Sequence, residues 1–387
     1  MKICLLSVYH EAFDKRMYHK IARSLVGADH LVVSICPQGA FDGEERDGVH
    51  FRYIPRASTL YERLRSVFYL AAAGRKEEAD IYIAPEPESW VAAMLIKAIG
   101  GGRIVYDMHE HASSKFARYF PAAVRTPAAH ITQWFMRRFA GYTDHILLTR
   151  ESFETVWEGL DTPRSVVINS NHRQAPCSDI PPAVRERVGR GPSVIHQGLF
   201  GDIRGSWQLL DAMKLVVRTI PDARCIILGE YGYGSLKQYR QAVANAGLEE
   251  NFVFIDTVPY EEVPAYVATA QVGLILFQPG RLNHTLAMPH KLFDYMREGI
   301  PVIAPDFAVE VAHILDQADA GILVEITDSG AIAAAIIRLL EDPALSERLG
   351  KNGQAAVDTS YNWERDEVTL LRAIDSLGTT STNAPLV

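Results

Sequence analysis

The sequence predicts an α/β protein of two doubly wound, Rossmann-like domains facing each other across a cleft. Three observations predict it. Short apolar runs alternate with longer helical patterns, the signature of parallel sheets covered by helices on both faces. The alternation breaks at residues 170–192, where Pro176, Pro181, Pro182, Gly189, Gly191 and Pro192 gather among charged residues, and then restarts. A chain of 387 residues is also too long for one ordinary core.

The elements follow in order. In a first domain, residues 1–170, strands are expected at 2–7, 31–36, 80–84, 103–107, 145–149 and 165–169, with helices at 15–26 and 90–99. Residues 171–192 read as a linker. In a second domain, 193–360, strands are expected at 193–198, 224–229, 252–256, 272–276, 301–304 and 321–324. Its helices are expected at 206–219, 236–246, 260–268 and 291–297. A helix over 361–377 is expected to cross back to the first domain. The Thr-, Ser- and Asn-rich tail 378–387 reads as disordered. In such sheets ligands bind outside the carboxyl ends of the strands.

Composition narrows the function. An apolar share of 48% and a charged share of 22% belong to a soluble globular protein. The net charge of −8 argues against a general nucleic-acid binder. No apolar run approaches ~20 residues, so no spanning helix is expected. The first seven residues read as a buried strand and not as a signal peptide. Cys4, Cys36 and Cys225 fall inside apolar runs and Cys177 stands alone, so a reduced, cytoplasmic protein with core thiols is expected.

Lys291 and Asp294 stand one helical turn apart, at the start of what reads as an amphipathic helix followed at once by a buried strand. Backbone N–H groups at a helix start favour an anion. Lys291 is a compact charge suited to phosphate. Asp294, ionised, has two oxygens to accept ribose hydroxyls. The bland alternative is an exposed ion pair.

Other turns of the second domain supply candidates. The run Ser193-Val194-Ile195-His196-Gln197-Gly198 ends a strand, and Arg204-Gly205 opens the next helix. Gly198 and Gly201 permit close approach of a ligand, and Arg204 can clamp a diphosphate. Gly229, Glu230 and Tyr231 end the next strand, where Glu230 or Tyr231 can flank a base. Thr257 ends the third, where backbone groups can read a base edge.

In the first domain, Asp107-Met108-His109-Glu110-His111 leaves a strand. His109 or His111 can bind a sugar hydroxyl, Glu110 can orient an acceptor, and Asp107 reads as serving the strand end. Two histidines two residues apart with no cysteine make a poor zinc site. There is no Asp-x-Asp pair to bridge a metal to a diphosphate. The first strand-to-helix turn lacks Gly-x-Gly-x-x-Gly, which argues against a nicotinamide or flavin enzyme. Asp14 reads as a helix cap, and His10 and Arg16 can reach the cleft. In 126–140, Ile131, Trp134, Phe135 and Phe139 share one helical face near Lys115, Arg118, Arg125, Arg137 and Arg138. The preferred reading is a core helix with a solvated basic side; the alternative is contact with a membrane surface.

On these residues the chain resembles the retaining glycosyltransferases of family 4, with the GT-B fold. The resemblance is best over 193–304, with Pro289-His290-Lys291-Leu292-Phe293-Asp294-Tyr295, and at Tyr361-Asn362-Trp363-Glu364. It implies transfer of a sugar from a nucleoside-diphosphate sugar to a saccharide or lipid-linked acceptor, without cofactor or metal, at the inner face of a membrane. It places Asp294 on the ribose, Arg204 and Lys291 on the diphosphate, and His109 near the sugar. Three departures stand out. Leu286 replaces the family's first acidic residue, Leu199 replaces an arginine, and the second acidic residue is Asp294 where Glu is usual. An epimerase of the same fold and a non-catalytic binding protein are the rival readings.

Overall fold

The computed structural model describes residues 1–39, 41, 43–57, 59–109, 121 and 124–379. The chain forms two compact units. Unit 1 holds Met1–Asn169 and the segment from Trp363 onward; unit 2 holds Ser170–Asn362.

Unit 1 is built on an eight-stranded sheet. Its strands are β1 (Lys2–Leu6), β2 (Leu31–Pro37), β3 (Glu45–Arg46), β4 (Val49–Ile54), β5 (Ile81–Ala84), β6 (Arg103–Met108), β7 (His145–Leu148) and β8 (Arg164–Val166), in the order β3-β4-β2-β1-β5-β6-β7-β8. All pairs are parallel except the β3–β4 hairpin. The strands β5 and β7 are buried at every residue, as strands covered on both faces are. The order reverses between β1 and β5, so the turns that leave those strands part company there.

The helices of unit 1 are α1 (Arg23–Gly27), α2 (Leu60–Lys76), α3 (Pro87–Ala98) and α4 (Arg125–Ala140). A π-helical stretch, Met17–Ala22, precedes α1. The last helix, Trp363–Thr379, packs on this unit. Trp363, Leu370, Ile374 and Leu377 join Ile3, Ile21 and Leu25 in one core, and the Trp363 indole donates to Ser24 Oγ at 2.9 Å. The helix α2 and the β3–β4 hairpin were not anticipated. A capping box starts α2, with Thr59 Oγ1 accepting from Glu62 N and Glu62 Oε2 accepting from Thr59 N.

The helix α4 corrects an expectation. Its aromatic face is not core: Trp134 is 62% exposed, Ile131 58% and Phe135 48%. Only Met136 and Ala140 are buried, because the helix touches its unit mainly through its last turns.

Unit 2 holds a six-stranded parallel sheet. Its strands are β9 (Ser193–Gln197), β11 (Arg224–Leu228), β13 (Phe252–Ile255), β14 (Val272–Leu274), β15 (Val302–Pro305) and β16 (Gly321–Val324), in the order β13-β11-β9-β14-β15-β16. A small parallel pair, β10 (Phe200–Gly201) and β12 (Tyr231–Tyr233), sits beyond it. Here the order reverses between β9 and β14. The helices are α5 (Pro182–Val188), α6 (Ser206–Thr219), α7 (Leu236–Asn245), α8 (Val263–Val267), α9 (Leu282–Thr285), α10 (His290–Arg297), α11 (Val309–Ala318), α12 (Ser329–Glu341) and α13 (Pro343–Thr359).

Two expectations change here. The segment read as a linker forms α5, whose Val184 and Val188 are buried. And the amphipathic α10 has no solvated face, since Lys291 through Arg297 are all buried. Gly273 makes that possible, because a Cβ there would come within 2.4 Å of the Tyr295 ring. The Tyr295 hydroxyl accepts from Gln197 N at 2.9 Å and faces the Ile195 carbonyl at 3.2 Å, tying α10 to β9. Cys4, Cys36 and Cys225 are buried free thiols.

Candidate active site

In unit 2 the turns leaving β9 and β14, the two strands at the reversal, are stitched together. Gln278 N donates to Ile203 O at 3.1 Å. Arg204 closes the 3₁₀ turn Asp202–Arg204, and its guanidinium lies 4.4 Å from the centroid of the Phe277 ring. Lys291 enters from α10, with Nζ 3.0 Å from His196 Nε2. Burial and the neighbouring Arg204 cation hold the Lys291 amine well below the ordinary lysine range, and Asp294 only partly opposes them. Burial, Lys291 and Arg204 together keep His196 neutral. An amine and a guanidinium at a sheet's carboxyl edge are thus held close enough that the guanidinium opposes charge on the amine. That is what a site for a multiply charged anion requires.

Asp294 departs from expectation. Its side chain is fully buried, and both oxygens are engaged. Asn171 Nδ2 donates to Oδ1 at 2.6 Å and Gln197 Nε2 to Oδ2 at 2.8 Å; the Tyr260 hydroxyl is 3.3 Å from Oδ1. Arg297 Nη2 adds an ion pair at 3.7 Å. In this structure Asp294 offers no oxygen to a ribose. It joins three distant segments to α10 and so fixes the turn that carries Lys291. Its shorter side chain keeps the carboxylate inside.

The glycine turns behave differently from the reading above. Gly198 and Gly229 have φ of 85° and 129°. A Cβ on Gly229 would sit 2.7 Å from the Gly198 carbonyl, so Gly229 serves the packing of the two turns, whereas a Cβ on Gly198 would meet nothing within 4 Å. Tyr231 lies in β12, with its hydroxyl 3.1 Å from Ser206 Oγ and 3.2 Å from Asp202 Oδ1, and its ring is packed on Phe200 and Tyr239. Glu230 and Thr257 are exposed, and Thr257 follows β13 at the sheet's edge. The structure brings Arg204 and Lys291 together, and the Glu230 carbonyl accepts from Phe200 N at 2.9 Å.

In unit 1 a second cluster gathers at the carboxyl ends of β1, β5 and β6. Asp107 is fully buried and accepts two hydrogen bonds from Arg16, at 2.7 and 2.9 Å. His109 Nε2 lies 2.5 Å from Asp107 Oδ2. Asp107, at the end of β6, is therefore also the hub of this cluster. Arg16, 2% exposed, is spent on it. Asp14 does cap the helical turn, accepting from Arg16 N and Met17 N at 2.8 Å each. It also binds His10 Nδ1 at 2.9 Å. Burial opposes charge on His10, but Asp14, Glu86 and Asp107 overcome it and raise its pKa to about 9. The His10 and His109 rings meet edge-on, with centroids 5.4 Å apart. Glu110 and His111 lie outside the described residues, as do Lys115 and Arg118.

Glu86 was missed. It is 7% exposed, accepts from Ser7 Oγ at 2.5 Å and Ser89 Oγ at 2.7 Å, and faces His10 Nε2 at 3.7 Å. Burial raises its pKa, against the pull of His10 and the two hydroxyls. The signal was present: Pro85-Glu86-Pro87 directly follows the apolar run of β5, and a carboxylate held between prolines at a strand's end is not packing material. His196 was quoted within its strand but given no role; a histidine inside an apolar strand was the cue. Among the described residues no group of three or more His, Cys, Asp or Glu side chains is arranged to hold a metal ion.

Two Rossmann-like units, each with polar chemistry at the reversal of its sheet, define the GT-B class of sugar-nucleotide enzymes. Residues 193–356 match the family "Glycosyl transferases group 1", and residues 15–169 match "Glycosyltransferase Family 4". The chain belongs to these group 1 glycosyltransferases of the GT-B fold, which use nucleotide-sugar donors. It is 22% identical to spore coat protein SA of Bacillus subtilis, over 92% of this chain and 93% of that one. It is 29% identical to the GDP-mannose-dependent alpha-(1-6)-phosphatidylinositol monomannoside mannosyltransferase of Mycolicibacterium smegmatis, over 49% of this chain and 50% of that one. Among solved structures, Anabaena HepE in complex with UDP-glucose superposes with a TM-score of 0.75 at 16% identity, covering 97% of this chain and 100% of that one. The lipopolysaccharide glycosyltransferase WaaG does so with 0.70 at 14%, covering 98% and 100%.

Proposed function

We propose that the chain transfers a sugar from a nucleoside-diphosphate sugar to a saccharide hydroxyl, with retention at the anomeric carbon and without a metal. The observation that carries this is the buried Lys291 beside Arg204 at the strand reversal of unit 2. The bond from the anomeric carbon to the β-phosphate oxygen breaks, and negative charge grows on the departing diphosphate. Lys291 and Arg204 are fixed in advance where that charge develops, which is where electrostatic stabilisation is largest. The acceptor oxygen bonds to the same face of the sugar, and its proton leaves with the diphosphate. His109, in the unit 1 cluster, is the group proposed to bind a sugar hydroxyl.

The donor is tested with a thermal-shift panel of UDP-, GDP-, dTDP- and ADP-sugars. The relative that uses GDP-mannose and the neighbour that holds UDP-glucose put those two first. A sugar nucleotide at about 100 times its Kd adds ~2.7 kcal/mol. A flat response to all four would remove the reading. Nucleotide release that needs an added acceptor separates transfer from epimerisation.

A lipid-borne acceptor is the finer part of this proposal, and the surface of unit 1 supports it. The helices α2, α3 and α4 are neighbours: α2 packs on α3, and Trp90 of α3 meets Phe139 of α4. Tyr61, Leu64, Phe68, Ile131, Trp134 and Phe135 on these helices are each about half to two-thirds exposed. The same three helices carry eight Lys and Arg against two acids, a net +6 in a chain of net −8. Aromatic side chains amid positive charge fit an anionic bilayer surface. Co-sedimentation with phosphatidylglycerol vesicles but not phosphatidylcholine vesicles is expected. Trp134→Ser with Phe68→Ser should weaken it about tenfold or more, since each large apolar side chain buried contributes about 1.5–3 kcal/mol. Equal binding to both vesicle types, or none, would count against the lipid surface.

A further inference from the structure

The contact between Lys291 and His196 reaches beyond diphosphate binding. Both side chains are buried, His196 being 1% exposed and Lys291 9%. An ammonium has three donors and no acceptor. For Lys291 Nζ to bind His196 Nε2 at 3.0 Å as an ammonium, the imidazole must offer a lone pair there and carry its proton on Nδ1. That Nδ1 is itself buried, with no partner beyond its own backbone among the described residues. Whenever Lys291 is an ammonium, the imidazole of β9 is therefore its neutral acceptor.

The charges around Lys291 come from each side. Arg204, in the turn after β9, opposes its charge. Asp294, on the same helix, favours it, but that carboxylate is shared with Arg297 and Tyr260. On the β14 side stands Phe277, backed by the His284 ring, which brings no negative charge. A lysine in such a place loses charge readily. A bound diphosphate reverses this, because two negative charges beside Nζ favour the ammonium.

We propose that His196 is a positioning residue that holds Lys291 through a neutral imidazole, and that capture of a diphosphate beside Arg204 draws a proton into the site. This rests on the donor reading above. The sign follows from linkage. If binding takes up a proton, affinity falls as pH rises, by at most about tenfold per pH unit for one proton. The terminal phosphate of a nucleoside diphosphate ionises near pH ~6, so it contributes nothing of this sign above pH 7.

The test is calorimetric titration of the full chain with UDP and with GDP from pH 7 to 9. HEPES and Tris, which differ in ionisation enthalpy, report the protons exchanged. Wild-type protein should take up a fraction of a proton and lose affinity severalfold across the range. Lys291→Arg keeps a cation that does not titrate, so its binding should be flat with pH and free of proton uptake. His196→Gln keeps an acceptor oxygen and should resemble wild type. His196→Phe removes it, and affinity should drop about tenfold, the worth of one charge-assisted hydrogen bond. A His196 that served only the fold would give Gln and Phe variants with the same pH slope as wild type and the same affinity. Nucleotide binding without proton uptake in wild type overturns this inference and leaves the donor reading standing. Failure of both nucleotides to bind at millimolar concentration overturns both.

Discussion

Lys291→Met is expected to leave a folded, more heat-resistant protein with almost no transferase activity. The two effects share one cause. Lys291 is buried beside Arg204, with a single neutral partner in His196. A buried ammonium whose neighbouring carboxylate, Asp294, is shared with Asn171, Gln197 and Arg297 is costly, and methionine fills similar space with no charge to desolvate. Melting temperature should therefore stay level or rise. The activity that disappears is stabilisation of the departing diphosphate. Loss of one preorganised charge of this kind typically lowers kcat by about 10²–10³. Arg204→Ala should cost about as much, with a larger rise in KM, because its guanidinium is only partly buried and meets the donor from the rim. A drop in melting temperature with retained turnover for Lys291→Met would show that the lysine serves packing and not the reaction. The gain in stability on losing function is what a site held under strain predicts.

The same environment explains which parts of this protein could be read in advance. The strands β1, β6 and β9 are short apolar runs buried on both faces, so their letters alone expose them. The helix α2 hides because its Tyr61, Leu64 and Phe68 face outward, which inverts the usual link between apolar periodicity and core. Trp134 and Phe135 mislead for the same reason: apolar spacing defines a face of a helix but not what covers it. The nearness of Lys291 to Arg204 was legible because both stand at helix starts along one edge of the same parallel sheet. The true office of Asp294 was not. Its burial depends on Asn171, Gln197 and Tyr260, which lie 123, 97 and 34 residues away, and no local pattern joins them. Arg16 and Asp107 are likewise 91 residues apart, so each looked free when read alone.

That pair supplies the largest expected effect on stability. Arg16→Met should destabilise the protein by about 3–5 kcal/mol, because it leaves the buried Asp107 carboxylate without its main counter-charge. Both side chains are almost wholly inaccessible, at 2% and 0%, so water cannot substitute. The double variant Arg16→Met with Asp107→Asn should recover much of the loss, since a buried neutral amide costs far less than a lone carboxylate. The pH dependence gives a second and independent sign. Burial opposes charge on Asp107, but Arg16 and His109 hold its pKa well below the ordinary carboxylate value of about 3.9. A depressed carboxylate stabilises the fold above its unfolded pKa and loses that contribution as pH falls through the folded one. For this group the wild type should keep its full share from neutral pH down to about pH 4 and lose it only below. In Arg16→Met the burial term is no longer overcome by a fixed cation, so the folded carboxyl titrates higher and the sign inverts. Its deficit should shrink between pH 7 and pH 5, as the buried Asp107 carboxyl takes a proton. Urea melts of wild type and variant at both pH values measure this directly. A deficit that stays constant, or grows on acidification, would mean that Arg16 contributes packing through its stem and that the charge on Asp107 is carried by other groups.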